Sequence, residues 1–402
     1  MSHFRSSSFL QSVLSFQVGK HYSCIPIETS YGRTLCSGKD TFASLYCFSH
    51  IATLLCSRNT GILLRLLPSL CPPFFPYSIT SHSFIQLYCD ITDYLGYLLS
   101  DQITYYQEAE TLLREALAIR SSLATDNQGV SQSDVAWTMD NLGFLLSHMK
   151  DSREEAEFLL RKALHMRLLL AEEHPGRHVD EVAWTYNNLA LLLFAEGDRM
   201  EEAKMLYLEA LAYLRRDEKT TPGKHLVYIA LCCGNLGVLT RSDLSQATYT
   251  EELFQQALYN NRKLNEQFPG MYRAEVAFSC NNIATIIMLD PRRQKEAKAL
   301  YQEALQINET LEEQHPGFFQ AYIADVIFNL AVLNILSGGS TQKSAELLGQ
   351  ATSIWSNIPG SEGKITMAEK LQRTPGDRRA LSRICINYVQ SGARTSSVYP
   401  GQ

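Results

Sequence analysis

The amino-acid sequence predicts an all-α protein, a right-handed superhelical solenoid of antiparallel helix pairs. Three observations support this fold class: a period of 47 residues, residue columns that recur at that period, and a proline–glycine pair that closes most of the repeats. Such a period is typical of stacked repeats, in which one unit alone cannot bury its apolar face and packs against its neighbours. The 402-residue chain is therefore expected to form one long array instead of separate globular domains.

The period is clearest between Glu181 and Leu211, a stretch with the pattern of two amphipathic helices joined by a tight turn. Moving this stretch by 47 residues in either direction superimposes it on a similar stretch. Three columns recur, one of asparagine and two of alanine. The asparagine column is Asn141, Asn188, Asn235, Asn282 and Asn329. The alanine columns are Ala136, Ala183, Ala230, Ala277 and Ala324 in the first helix of each unit, and Ala116, Ala163, Ala210, Ala257, Ala304 and Ala351 in the second.

Each unit consists of a first helix, here called helix A, then a polar turn and a second helix, helix B. Helix A carries [VI]-A-x-x-x-x-N-[LI]-[AG], and helix B carries A-x-x-x-[LYF]-x-x-A, as at Ala203, Tyr207 and Ala210. These spacings place the helix B residues on one face, where the small side chains allow close packing on helix A. Proline then disfavours helix at the residue before it, and glycine permits a sharp exit. About six such units are predicted between residues 83 and 357.

The flanking segments lack the period. Residues 1–82 contain only two acidic residues, Glu28 and Asp40, and many serines, cysteines and aromatic residues. The composition fits three alternatives: an organelle transit peptide, a weak secretory segment, and a poorly ordered leader or gene-model artefact. The third alternative is the prediction adopted. Residues 358–402 are predicted to form a capping helix at Arg378–Gln390 and a disordered tail. Because no stretch of about 18 uninterrupted apolar residues occurs, no membrane span is predicted.

Composition and charge limit the classes of function. The net charge of −6 argues against a general nucleic-acid-binding protein, which would carry a basic surface. Of the ten cysteines, Cys233 and Cys280 share a repeat column that also accepts Met139, Tyr186 and Ile327, so they are predicted to be buried core residues. Reduced thiols fit an intracellular protein, and a cytoplasmic location is therefore expected.

The repeat motifs resemble the tetratricopeptide repeat, whose helix pairs carry W-x-x-L-G-x-x-Y, then A-x-x-x-F-x-x-A, and then proline. Asn-Leu-Gly at 141–143 and Asn-Leu-Ala at 188–190 match the first helix, and the alanine columns match the second. The generic unit has about 34 residues. The longer unit found here, with E-V-A-x-x-x-N-N-L-A, E-E-A and His-Pro, is similar to the kinesin-light-chain type of this repeat. The resemblance covers about residues 84–357 and implies a solenoid that binds other protein chains.

The resemblance also implies where a ligand would lie, because helix A of a tetratricopeptide repeat lines the concave groove. An asparagine amide offers an acceptor and two donors to the main chain of an extended peptide, and asparagine ladders in such families bind peptide in this way. The alternative is that each asparagine bonds backbone across a repeat junction and that the aromatic residues beside it belong to the core. The predicted peptide-binding residues are Asn141, Asn188, Asn235, Asn282, Asn329, Trp137, Trp184 and Phe278.

Catalytic candidates do not form a consistent site. His174 and His315 precede Pro-Gly, so they are interpreted as helix ends and not as bases. Cys232-Cys233 lacks metal-ligand spacing. Without a convergent set of titratable residues we expect no enzymatic activity, no cofactor and no metal. The expected partner is a protein or extended peptide; a kinesin-light-chain-like cargo adaptor and the sensor or scaffold part of a larger enzyme are the alternatives.

Overall fold

The computed structural model describes residues 89–90, 93, 106–125, 132–374 and 378–390, and this part of the chain contains helices and turns without any strand. Thirteen α-helices follow one another in the described residues. They are α1 Tyr106–Thr125, α2 Gln132–Ser147, α3 Arg153–Glu173, α4 Val179–Glu196, α5 Met200–Glu218, α6 Leu226–Thr240, α7 Ala247–Gln267, α8 Arg273–Ile287, α9 Gln294–Gln314, α10 Gln320–Leu336, α11 Thr341–Trp355, α12 Glu362–Gln372 and α13 Arg378–Gln390.

The chain divides into two compact units, residues 1–150 and residues 151–402. In the first unit α1 packs against α2, and in the second each helix from α3 to α11 packs against the next. This consecutive packing confirms the predicted all-α solenoid. The boundary between the units falls within the range 83–357 that the sequence predicts as one array. The predicted leader, residues 1–82, and the predicted tail, residues 391–402, lie outside the described residues.

Helices A and B alternate as the sequence predicts. The helices A are α2, α4, α6, α8 and α10, and the helices B are α1, α3, α5, α7, α9 and α11. From α4 to α10, every helix A packs against the helix B before it and the helix B after it. The alanines of the helix B column have no exposed surface at all, and the large residue between them, as at Tyr207, Phe254 and Tyr301, is also buried. The small residues therefore bring the helices close together, and the large ones fill the remaining space.

The proline–glycine turns end the helices B as expected. Helix α3 ends at Glu173, and the backbone N–H of His174 donates to the Leu170 carbonyl at 3.0 Å. The glycine that follows each of these prolines has a positive φ, between 77° and 92° in the described part of the chain, which L-residues with a side chain rarely adopt. These glycines are Gly176, Gly223, Gly270, Gly317 and Gly360.

Two helices follow the last repeat, whereas the sequence predicts one. A helix is present at the predicted position 378–390 as α13, and it packs against α10. Helix α12 was not predicted, because it is short and carries neither the asparagine nor the alanine column. It packs against α11 through the buried Ala368 and Leu371, in the place that a further helix A would take.

Candidate functional site

The asparagine column is buried in the structure. Within the second unit it consists of Asn188, Asn235, Asn282 and Asn329, one on each of α4, α6, α8 and α10, and each is 2–4% exposed. We call these four residues the asparagine row. Buried amides need hydrogen-bond partners, so the partners of each amide decide what the row can do.

Two members of the row are bonded directly to the preceding helix A. Asn235 Nδ2 donates to Asn187 Oδ1 at 2.8 Å, and Asn329 Nδ2 donates to Asn281 Oδ1 at 3.0 Å. The two bonds are equivalent, since the residues of one lie 94 residues, or two repeats, from those of the other. The acceptors, Asn187 and Asn281, lie outside the asparagine column and are not among the predicted site residues. They could have been found as the first residue of an Asn-Asn pair that recurs in every second repeat.

The junction between α6 and α8 lies between these two junctions and has a different set of hydrogen bonds. Arg241, directly after α6, donates from Nη1 to Asn282 Oδ1 at 3.3 Å, and Asn282 Nδ2 donates to the Phe278 carbonyl at 2.9 Å. Burial lowers the pKa of Arg241, although the electrostatic influence of Tyr388 and Asp325 acts to raise it. A guanidinium has no acceptor and remains charged, so Arg241 places a cation beside the asparagine row.

Some polar atoms on this face lack a hydrogen-bond partner in the described part of the chain. In the second unit they are Asn235 Oδ1 and Trp184 Nε1, and both residues are at most 4% exposed. In the first unit Asn141 Nδ2 is also buried without a hydrogen-bond partner. Leaving a buried donor or acceptor unsatisfied costs about 1–3 kcal/mol. A ligand that supplied the complementary groups would remove this cost.

The aromatic residues predicted for the site are placed unequally. Trp184 and Phe278 are buried, whereas Trp137 in the first unit is partly exposed. Trp184 lies four residues before Asn188, so the two side chains share one face of α4. Phe278 likewise lies four residues before Asn282 on α8, and the indole N–H of Trp184 adds a donor beside the row.

Buried arginines on the helices B form a second set of polar contacts, outside the asparagine and alanine columns. In the first unit Arg120 forms ion pairs with Asp90 and Asp93 and donates to Thr138 Oγ1 at 2.5 Å. Burial raises the pKa of Asp93 to about 7 although the Arg120 charge lowers it. In the second unit Arg167, one period later, donates to the Glu181 carbonyl at 2.7 Å. These arginines tie a helix B to the following helix A, and they are structural groups.

The titratable residues of the described chain do not converge on a reactive centre. Burial raises the pKa of Cys233 and Cys280 to about 12, so these thiols stay protonated at neutral pH and are poor nucleophiles. His225 has no exposed surface and is bonded to Asp180 and Asp217, in a junction between helix ends. Among the described residues no group of His, Cys, Asp or Glu is arranged to hold a metal ion.

The helices B carry a different, charged surface. Arg199 pairs with Glu157 and Glu202 at 2.7 Å, and Arg161 bridges the same two carboxylates. Two repeats later Arg293 pairs with Glu251 and Glu296 at 2.8 Å. These groups are partly exposed, so each pair contributes little to stability. The asparagine row, in contrast, consists of neutral amides, with the cation of Arg241 beside Asn282.

No protein-family model matches the chain, and a search of curated proteins finds no match. The fold and the asparagine row define the chain as an all-α helical-repeat protein. No helix in the described residues is both long and apolar enough to cross a lipid bilayer.

Proposed function

We propose that this protein is a scaffold or adaptor of the tetratricopeptide-repeat type that binds a peptide, or an extended segment of another protein, along its helices A. The observation that supports this proposal is the set of buried polar atoms without partners on the asparagine row, Asn235 Oδ1 and Trp184 Nε1. Structural residues with no ligand to bind are usually fully hydrogen-bonded. The row also lies on neighbouring helices, so it repeats at a regular interval along the array.

The chemistry of the row suits main-chain recognition. The Nδ2 group of Asn235 is held by Asn187, which fixes the amide and leaves Oδ1 to accept from a peptide N–H. Trp184 Nε1 is a donor and would bind a peptide carbonyl. One acceptor and one donor at fixed positions match the alternating groups of an extended chain. Each bond would add about 0.5–1.5 kcal/mol, and more where it relieves an unsatisfied buried atom.

The same proposal includes a cytoplasmic location and no catalytic role. The buried cysteines of the described chain have pKa values raised by burial, to about 12 for Cys233, Cys280 and Cys385. They behave as small core residues, which is compatible with a reducing compartment. A binding role requires no reacting group, and the amides of the row, which carry both donors and acceptors, favour peptide main chain as the ligand.

The test uses the full-length chain and a displayed library of short random peptides. Selected peptides are titrated into the wild type and into Trp184→Phe, which removes the indole donor and keeps an aromatic ring. We expect Trp184→Phe to weaken binding about tenfold, which corresponds to about 1.4 kcal/mol. Because Trp184 is buried, the smaller ring should cost some stability through the cavity it leaves, so binding is compared well below the unfolding temperature of the variant.

The matched control is Trp355→Phe. Trp355 Nε1 donates to Asp325 Oδ1 at 3.2 Å, so this variant loses an internal bond and should lose stability without a direct effect on Trp184 and Asn235 at the other end of the row. Asn235→Ala is less suitable, because it also leaves Asn187 Oδ1 unsatisfied. If no peptide is selected, or if the peptides bind Trp184→Phe as tightly as the wild type, the proposal is wrong.

A further inference from the structure

The C-terminal helix α13 covers one end of the asparagine row. It packs against α10, and Tyr388 Oη donates to Asn329 Oδ1 at 3.5 Å. The Tyr388 and Phe328 rings meet edge to face, with centroids 5.0 Å apart. Arg241 and Asp325 act electrostatically on the same phenol, whose pKa is raised chiefly by burial. Tyr388 therefore lies against Asn329, the last member of the asparagine row, and against its neighbour Phe328.

The array is already closed without α13. Helix α12 takes the place of a further helix A and packs against α11. Lys364 on α12 pairs with Asp325 at 2.7 Å and lies 5.6 Å from the centre of the Trp355 ring. A continued array would pair α13 with α12 as the next helix B, but α13 turns back onto α10 instead. Helix α13 thus packs on the last helix A of the repeats and not chiefly on α12, the helix before it in the chain.

The contact surface of α13 is a narrow apolar stripe. Leu381 and Cys385 are buried, and Tyr388 follows them at helical spacing on the same face. Arg383 points to solvent and is exposed. A hydrogen bond of 3.5 Å, as between Tyr388 and Asn329, is beyond the usual range and weak. An amphipathic helix laid on a face of another domain is a common mode of peptide recognition.

We propose that α13 is a resident ligand of the helix A face, and that it competes with an external ligand for the Asn329 end of the asparagine row. This inference rests on the proposed function, since competition requires an external ligand, but occupancy of the face by α13 can be tested without one. The linkage to the same chain gives α13 a high effective concentration. A partner that displaces it presents a similar segment, amphipathic and with an aromatic side chain for the contact with Phe328.

The probe is a fluorescent peptide with the sequence of residues 378–390, titrated into full-length protein under reducing conditions and followed by anisotropy. In the wild type the resident helix blocks the site. In Tyr388→Ala the ring contact and the hydrogen bond to Asn329 are lost, so the added peptide should bind at least about tenfold more tightly than it binds the wild type. Tyr259→Ala is the control, because Tyr259 is 58% exposed on α7 and should leave the peptide affinity at the wild-type level.

A second peptide, identical except for alanine at the position of Tyr388, should bind the Tyr388→Ala chain at least about tenfold more weakly than the first. Equal binding of the first peptide to the wild type and Tyr388→Ala, or equal binding of the two peptides, would overturn the proposal. If Tyr388→Ala does not fold, hydrogen exchange of the wild type decides. Protection of α13 well below that of α10 supports a displaceable helix, and equal protection refutes it.

The peptides selected from the random library separate this inference from the proposed function. If they bind Tyr388→Ala more tightly than the wild type, competition by α13 is supported. If they bind both chains alike, α13 is not a competitor although the proposed function stands. If no library peptide binds but the 378–390 peptide binds Tyr388→Ala, α13 does occupy a docking site, while competition with an external ligand is overturned together with the proposed function.

Discussion

Single residues set how closely neighbouring helices approach in this array. A Cβ atom added to Gly237 on α6 would lie 2.8 Å from the Phe254 ring on α7, and Phe254 is completely buried. Other repeats carry alanine in this column, at Ala190 and Ala284, opposite a tyrosine in helix B. The requirement for glycine is therefore local, and it comes from the position of one ring.

Replacing Gly237 by alanine tests this close approach. We expect Gly237→Ala to lower the free energy of unfolding by about 1–3 kcal/mol, because the Phe254 ring must move in a packed core. This loss should outweigh the gain of about 1 kcal/mol that alanine brings to a helix. Gly349→Ala is the control, since the nearest atom to its added Cβ is 3.9 Å away. Urea denaturation should show the control to be stabilised, and equal gains in both variants would contradict the argument.

At the scale of secondary-structure elements, His225 joins the ends of two helices. Its Nδ1 lies 2.5 Å from Asp180 in the first turn of α4, and its Nε2 lies 2.7 Å from Asp217 in the last turn of α5. Burial lowers the pKa of His225, but the two carboxylates raise it further, so that it lies above its usual value despite the opposing charge of Lys224. The hydrogen bond to His225 also lowers the pKa of Asp217.

The raised pKa of His225 predicts that the protein loses stability as the pH rises above neutrality. The protonated ring stabilises the fold fully below the unfolded-state pKa, about 6.5, and this contribution disappears as the pH passes through the higher folded-state pKa. His225→Gln cannot gain the proton, so this part of the pH dependence should vanish. Urea denaturation from about pH 6 to about pH 9 provides the measurement. The exposed His165→Gln is the control, and identical profiles for His225→Gln and the wild type would refute the role of His225.

At the scale of the whole molecule, the second unit is held together by contacts between neighbours. Each helix from α4 to α11 packs chiefly on the helices before and after it in the chain. In such an array the free energy of unfolding is approximately a sum of repeat and interface contributions. Damage to one repeat is then expected to spread according to its position.

Overpacking a central or a terminal repeat should therefore have different effects. Ala257 on α7 and Ala351 on α11 occupy the same column, and neither has exposed surface. Leucine at either position should cost about 1–3 kcal/mol. With Ala351→Leu, hydrogen exchange should increase only from α10 to the C-terminus. With Ala257→Leu it should increase on both sides of α7, and urea unfolding should separate into two steps. Uniform exchange changes in both variants would argue for a single cooperative unit.

Much of the fold follows from local pattern. The alanine columns and the Pro-Gly turns act within one repeat, so their spacing alone predicts the helix pairs, and the structure confirms their burial and the positive φ of Gly176 and its equivalents. Helix α12 could not be predicted in this way, because the contacts that stabilise it are not local. It is stabilised by Lys364 and Asp325, which lie 39 residues apart and outside the repeat columns.

The candidate site could be predicted only in part. The asparagine column identifies the face, but the partners of each amide depend on the register between successive helices A. Arg241 reaches Asn282 from beyond the end of α6, and Tyr388 reaches Asn329 from outside the array. Neither contact has a counterpart at the 47-residue period, so no internal comparison of repeats could indicate it.

The alternation of junctions has a consequence for shortening the protein. Excision of residues 188–281 would remove two periods. Asn187 would then take the place of Asn281 as the acceptor for Asn329, and Glu157 would take the place of Glu251 opposite Arg293. Excision of residues 188–234 would instead set Glu157 opposite Gln246 and lose that ion pair. Shortened chains should therefore remain well folded when helix pairs are deleted in twos and be less stable when they are deleted singly, so that the natural module of this protein is the double hairpin.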